Sequence, residues 1–166
     1  MQKDGDIDED CATFSNVLDQ KSPDYLKITR EDAKIIKKFL DEVLEVKKIP
    51  EYTLRRDGVY LVSDELPLLK NHVFSCGVKL GEIIKGRLVP HHRFFMAYGN
   101  CFKNRIDLTL DDPRVEKYLR GEEIPAPENL KGYCAVLCDG VTLGGAKVSS
   151  GIAKNHYPKG LRISGH

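Results

Sequence analysis

The clearest fold signal in the chain is the segment YCAVLCDGVTLGGAKVS, which covers residues 133–149. Two runs of apolar and β-branched residues flank the pair Asp139-Gly140, an arrangement typical of a β-hairpin with a two-residue turn. Cys134 and Cys138 are an even number of residues apart, so we expect both side chains on one face of the first strand, in the core. The segment therefore predicts β-structure in this half of the chain.

A basic segment, KNHYPKGLR, follows the hairpin and covers residues 154–162. Pro158 fixes one backbone torsion and Gly160 permits a positive one, so we expect the cations on a tight loop. From Val141 to the end the sequence contains no acidic residue, which predicts a positive electrostatic potential. A preorganised cationic loop suits phosphate, and nucleic acid is the expected partner.

Two short helices are predicted before the hairpin. The first runs from Pro90 to Tyr98 and is closed by Gly99, and the second starts at the N-cap pair Asp112-Pro113 and stops at Gly121. Residues 105–108 look extended, and residues 122–129 are predicted to form a loop. Core burial is the default expectation for the neighbouring aromatic cluster, with base stacking as the alternative; its members are Phe94, Phe95, Tyr98 and Phe102.

The first half of the chain is predicted to contain an acidic arm, one long helix and a small sheet. Residues 1–24 are rich in Asp and lack periodicity, which indicates a linker or frayed arm. Thr29 is the expected N-cap of a helix that ends near Lys47-Lys48. Its apolar face consists of Ala33, Ile36, Phe39, Leu40, Val43 and Leu44. A hairpin over residues 52–62 and strands at residues 73–76, 80–84 and 87–89 are expected to follow.

These elements predict an α+β fold in which a small mixed β-barrel is preceded by a helix and a small sheet. We expect an acidic linker or arm at residues 1–24, a helix and small-sheet subdomain at residues 25–88, and a barrel-like domain at residues 89–166.

Composition excludes several classes of protein. The chain has 166 residues, of which 41% are hydrophobic and 31% charged, an ordinary globular balance. No apolar run approaches the roughly 20 residues of a membrane helix, and the polar start does not resemble a signal peptide, so a cytoplasmic location is expected. The five cysteines form no Cys-x-x-Cys pair, which argues against a disulfide framework or a zinc knuckle.

Signals for catalysis or cofactor binding are weak. The glycines match neither a dinucleotide-binding turn nor a phosphate-binding Walker loop. His91 and His92 are adjacent and should point apart, and no carboxylate or thiolate lies at ligand spacing beside them. No catalytic residue and no metal ligand is predicted.

Several blocks of the sequence resemble one family, in order, over about residues 55–163. The blocks are GVKLGEIIKGR at 77–87, Pro90 to His92, LTLDDPRVEKYLRGE at 108–122, GYCAVLCDG at 132–140, LGGAK at 143–147, Gly151, and KNHYPKGLR at 154–162. They are similar to the C-terminal, PUA-like region of the Nop/Sun family of rRNA cytosine-5 methyltransferases, of the RsmF type.

The resemblance implies an RNA-binding role without chemistry in this chain. The family's catalysis uses cysteines in Pro-Cys and Thr-Cys contexts and a Rossmann-like fold for S-adenosylmethionine, and neither the contexts nor a cofactor glycine loop occurs here. S-adenosylmethionine is therefore expected only in a catalytic domain that this chain lacks. The expected partners are ribosomal RNA and such a catalytic domain, in the same or another chain, and no membrane.

The resemblance also implies roles for individual residues, which we take as three groups of RNA contacts. The phosphate-neutralising cations are Lys147, Lys154, Lys159 and Arg162; the hydrogen-bonding residues are Asn155 and His156; the stacking residue is Tyr157. Additional contacts are expected from Lys85, Arg87, His91 and Arg93.

Other interpretations stay open. Tyr157 could pack under the loop, and Asn155 and His156 could tie strands together, so that the loop is only structural. The acidic arm and the helix from Thr29 to Lys47 could dock onto a separate methyltransferase, with this chain as a docking or structural subunit. Methyl transfer by this chain alone would require that it bind S-adenosylmethionine.

Overall fold

The computed structural model describes residues 25–46, 51–55, 57–62 and 77–164. Within these ranges the fold is α+β, with three α-helices and two five-stranded sheets, one of them curled into a half-barrel. The expected fold class is therefore confirmed. The acidic arm predicted at residues 1–24 and the strand predicted at residues 73–76 lie outside the described residues.

The first sheet is an antiparallel meander that carries one helix. In chain order its elements are β1 (Tyr25–Leu26), α1 (Arg30–Val43), β2 (Glu51–Arg55), β3 (Gly58–Val62), β4 (Val78–Ile84) and β5 (Arg87–Pro90). The strands lie in the order β1-β2-β3-β4-β5. The hairpin expected over residues 52–62 is present, as are the strands expected at residues 80–84 and 87–89.

Helix α1 begins where the sequence predicts and ends early. Thr29 forms a capping box with Asp32, in which each side chain bonds the other residue's backbone N–H. The helix stops at Val43 and not near Lys47, because the following backbone is paired elsewhere. Leu44 forms a β-bridge with Phe102, and the Glu45 N–H donates to the Cys101 carbonyl oxygen at 2.7 Å.

The second sheet contains the remaining strands, with two helices packed beside it. Its elements are α2 (His92–Tyr98), a 3-10 turn (Gly99–Cys101), β6 (Arg105–Leu108), α3 (Pro113–Leu119), β7 (Ile124–Pro125), β8 (Gly132–Cys138), β9 (Val141–Ser149), β10 (Ile152–Asn155) and a 3-10 turn (Lys159–Leu161). The strand order is β6-β8-β9-β10-β7, with β6 parallel to β8 and the other pairs antiparallel.

Three local predictions are corrected here. Pro90 ends β5 and His91 is the N-cap of α2, so that helix starts later than expected. Gly99 has right-handed helical torsions and begins a 3-10 turn, so it does not act as a left-handed stop. Lys154 and Asn155 belong to β10, which pairs with β9 and with β7, so the supposed loops at 122–129 and 154–162 both contain strand residues.

The β8–β9 hairpin contains the predicted turn and an unpredicted bulge. Asp139 and Gly140 both have positive φ, at 47° and 78°, as a two-residue turn of this kind requires. Leu137 pairs with Thr142, but Val136 pairs with Gly144, so Leu143 has no partner on β8. This β-bulge shifts the register of the rest of β9 by one residue.

Two core clusters hold the described part of the chain together. One contains residues of both sheets, including Phe39, Leu80, Phe94 and Leu137. The other lies between the second sheet and α3, and it buries Cys134 and Cys138 together, as the spacing predicted. Phe94, Phe95 and Phe102 are fully buried, which confirms that the aromatic cluster belongs to the core. The domain division predicted near residue 88 stays a prediction, and the first cluster extends across it.

Candidate nucleic-acid interface

A tyrosine and two lysines lie side by side on one face of the second sheet. Tyr133 on β8 pairs with Lys147 on β9, and Lys147 pairs with Lys154 on β10. Side chains of cross-strand partners project from the same face, with Cβ atoms about 4.5–5.5 Å apart. Both lysines are exposed, and Tyr133 is half-buried. We call these three residues the cationic row.

The lysine pair in this row is not explained by the stability of the fold. Like charges directly opposite each other on neighbouring strands destabilise a sheet. Among the residues that the structure describes, no carboxylate forms an ion pair with Lys147 or Lys154. A bound anion would remove the repulsion between the two ammonium groups.

Tyr133 joins this row to the core. The Lys147 Nζ atom lies 5.2 Å from the centroid of the Tyr133 ring, a cation–π distance. The same ring contacts Phe39 of α1 at a centroid distance of 5.8 Å and Phe95 of α2 at 6.5 Å. Tyr133 is therefore held from below by two helices while it contacts a surface cation.

His156 lies beside the row. Its ring meets Tyr133 edge-on, with centroids 5.6 Å apart, and its backbone N–H donates to the Gly145 carbonyl oxygen at 3.1 Å. Burial, followed by the nearby charge of Lys147, lowers the pKa of His156 below its ordinary value of 6.5. The imidazole is thus neutral near pH 7, with one N–H to donate and one nitrogen to accept.

Asn155 points away from the row and holds the chain together. Its side-chain N–H groups donate to the carbonyl oxygens of Tyr118 and Glu122, at 2.7 and 3.0 Å. Its Oδ1 accepts from the Tyr157 N–H at 2.6 Å. Both amide hydrogens are engaged, so Asn155 fastens β10 to the end of α3.

Tyr157 packs under the C-terminal segment. Its ring lies between His92 and Tyr118, at centroid distances of 5.5 Å to each, and it is half-buried against the second core cluster. This geometry supports the packing interpretation of Tyr157 over base stacking.

Arg162 lies beside the end of α3, and Lys159 is exposed in the 3-10 turn before it. Arg162 packs across Gly121 and its Nη2 donates to the Tyr157 carbonyl oxygen at 3.3 Å. The Ile163 N–H donates to the Leu119 carbonyl oxygen at 3.1 Å. Because Asn155 points toward α3 and successive strand residues alternate faces, Lys154 projects from the opposite face of the sheet. The predicted cations therefore do not form one cluster.

The four additional candidates lie nearer the first sheet. Lys85 and Arg87 are exposed at the β4–β5 turn. His91 caps α2 through its Nδ1, which accepts from the Arg93 N–H at 3.2 Å. Burial lowers the pKa of His91, and the charges of Lys79 and Arg93 lower it further. The next residue, His92, contacts Tyr157, so the start of α2 adjoins the C-terminal segment.

The sequence did not indicate that Tyr133 lies beside Lys147, because the β-bulge at Leu143 sets that pairing. Continuing the turn pairing of Cys138 with Val141 in regular register would place Tyr133 opposite Ala146 and put Lys147 on the face of the second core. The unpaired Leu143 moves Lys147 opposite Tyr133 and out to the surface. A lysine at a position that would otherwise be buried is the one sequence signal that could have indicated the bulge.

Two features are absent from the described part of the chain. No group of three or more His, Cys, Asp or Glu residues there is arranged to hold a metal ion. None of its helices is long and apolar enough to cross a membrane.

Comparison with protein families gives two matches, one for each sheet. Residues 38–98 match the model of the RsmF rRNA methyltransferase first C-terminal domain. Residues 105–163 match the model of the methyltransferase RsmF PUA domain, which spans β6 to the C-terminal segment. No curated protein matches the chain. The two matches adjoin in the order that the resemblance predicted, and the chain therefore carries the C-terminal region of an RsmF-type rRNA methyltransferase.

Proposed function

We propose that this chain binds structured ribosomal RNA and positions it for the catalytic domain of an rRNA cytosine-5 methyltransferase. The observation that supports the proposal best is the cross-strand pair Lys147 and Lys154, exposed and without a carboxylate partner among the described residues. Two uncompensated cations on a sheet face suit the phosphates of RNA. The methyltransferase PUA match makes RNA the natural source of those phosphates.

In this proposal the chemistry belongs to the catalytic domain. That domain binds S-adenosylmethionine and holds the target cytosine, while this chain contributes affinity for the surrounding rRNA. The proposal includes the cytoplasmic location and the role in rRNA processing expected from the sequence.

Salt dependence of RNA binding tests the proposal. If about four cations each neutralise one phosphate, the logarithm of affinity for a structured rRNA fragment falls with the logarithm of salt concentration at a slope of about −3. These cations are Lys147, Lys154, Lys159 and Arg162. The measurement is a binding titration at several salt concentrations, and a slope near zero would contradict the proposal.

A pair of double variants identifies the face that binds. Lys147→Ala with Lys154→Ala should weaken binding and make the slope less steep, because each lost phosphate contact accounts for about 0.7–0.9. The change is about 1.4–1.8 if each lysine neutralises its own phosphate, and about 0.7–0.9 if the two lysines share one. The matched control is Lys34→Ala with Lys37→Ala, which removes two exposed lysines from α1. Equal losses in the two double variants would show only a nonspecific effect of net charge.

The alternative, a docking subunit for a separate methyltransferase, has less support. Helix α1 uses its apolar face inside the first core cluster, through Ile36, Phe39 and Leu40. Only its polar face is left for a partner. A chain that co-purifies with a methyltransferase but does not bind rRNA would favour this alternative.

A further inference from the structure

We infer that Tyr133 is a positioning residue that holds Lys147 and His156 ready for one phosphate group of the RNA, with Lys154 as the third donor. The inference rests on the proposed function and goes beyond it, because it assigns one phosphodiester subsite to one place on the sheet. Tyr133 belongs to none of the residue groups that the sequence singled out as contacts.

The contacts of Tyr133 converge on the two groups to be positioned. Its ring attracts the Lys147 ammonium group at 5.2 Å and meets the His156 ring edge-on at 5.6 Å. A lysine side chain has four methylene groups and samples many rotamers when free. A ring that already restrains the ammonium group lowers the entropy lost when a ligand binds.

The core fixes Tyr133 itself. Phe39 and Phe95 contact its ring from α1 and α2, and both belong to the core cluster shared by the two sheets. The ring therefore cannot follow Lys147 if the lysine moves. This makes Tyr133 a fixed reference point for a flexible cation.

The donors around this point suit a phosphate. Lys147 and Lys154 supply two ammonium groups from neighbouring strands. His156, at the end of β10, supplies an imidazole N–H beside Lys147. Two cations and one neutral donor suit a singly charged, acceptor-only group with several oxygens, which describes a phosphodiester.

Substitution of Tyr133 tests the inference. Tyr133→Phe keeps the ring and should bind a structured rRNA fragment like the native chain. Tyr133→Leu should bind about three- to tenfold more weakly. Its salt slope should become less steep by up to about 0.9, the share of one phosphate contact. The matched control is Tyr98→Leu, because Tyr98 is also half-buried and packs on Phe94. Equal binding by Tyr133→Leu and the native chain would overturn the inference.

A second measurement needs no substitution and therefore does not depend on the folding of a variant. The pKa of His156 in the native chain is followed by NMR with and without the rRNA fragment. A phosphate beside the imidazole should raise this pKa, whereas the pKa of His92, which packs on Tyr157, should change less. An unchanged pKa of His156 in the bound state would also overturn the inference.

The outcomes separate the inference from the proposed function. Binding with the expected salt slope, combined with no effect of Tyr133→Leu and no shift at His156, overturns the phosphate subsite and leaves the RNA-binding function standing. Absence of rRNA binding by the native chain overturns both.

Discussion

At the scale of single residues, the adjacent residues Lys154 and Asn155 of the basic segment have different roles. Asn155 makes three hydrogen bonds within the protein, whereas Lys154, one residue earlier, projects from the other face opposite another lysine. The sequence predicted that this segment matters but could not divide it, because alternation of faces is known only once β10 is recognised as a strand.

This division predicts effects of different size on stability for two adjacent substitutions. Asn155→Ala removes one of the donors to the Tyr118 carbonyl oxygen, which keeps the Gly121 N–H, together with the donor to the Glu122 carbonyl oxygen and the acceptor of the Tyr157 N–H. The loss should cost about 2–3 kcal/mol of unfolding free energy. Lys154→Ala removes a like-charge repulsion and should change stability by less than about 1 kcal/mol. Urea unfolding of both variants checks this. Equal losses would mean that Asn155 does not fasten β10 to α3.

At the scale of elements, the sequence predicted caps and turns well and pairings poorly. Thr29, Asp112 and the Asp139-Gly140 turn act where expected, since each depends on local chemistry. The end of α1, the two-residue strand β7 and the bulge at Leu143 depend on partners distant in sequence. The hydrophobic periodicity of one segment does not indicate which distant segment it pairs with.

The close approach of β9 to α2 predicts a sensitive glycine. A Cβ atom on Gly145 would collide with the ring of Phe95, which is fully buried. Gly145→Ala should therefore cost about 1–3 kcal/mol through overpacking. Gly160→Ala is the control, because a Cβ there meets nothing within 4 Å. Thermal or urea unfolding measures both, and an unaffected Gly145→Ala variant would show that α2 can shift away from the sheet.

At the scale of the whole molecule, a shared core joins regions that match two different family models. Phe39 and Phe94 lie in the region of the first C-terminal domain, and Leu137 lies in the PUA region, yet all three belong to one cluster. Tyr133 packs against that cluster, so the part of the cationic row that contacts Lys147 is held in place by the core. The candidate site therefore depends on both regions.

The histidines predict how stability of the whole molecule changes with pH. Burial is the main cause that lowers the pKa of His91, His92 and His156 below 6.5. The unfolded chain therefore binds more protons than the folded one as the pH falls through 6.5, so stability is greatest above that value and is lost below it. Unfolding free energy measured from about pH 8 to about pH 5 should fall, and His156→Gln should lessen the fall. A rise of the unfolding free energy over this range would contradict the lowered histidine pKa values.

The bulge at Leu143 also matters for how relatives of this chain are compared. Deletion of Leu143 would restore regular pairing and turn Lys147 inward, although every other residue of β9 stayed the same. An alignment scored on matching residues would treat the gap as minor. In this chain, the spacing between the Asp139-Gly140 turn and Lys147 therefore decides whether the lysine lies on the surface.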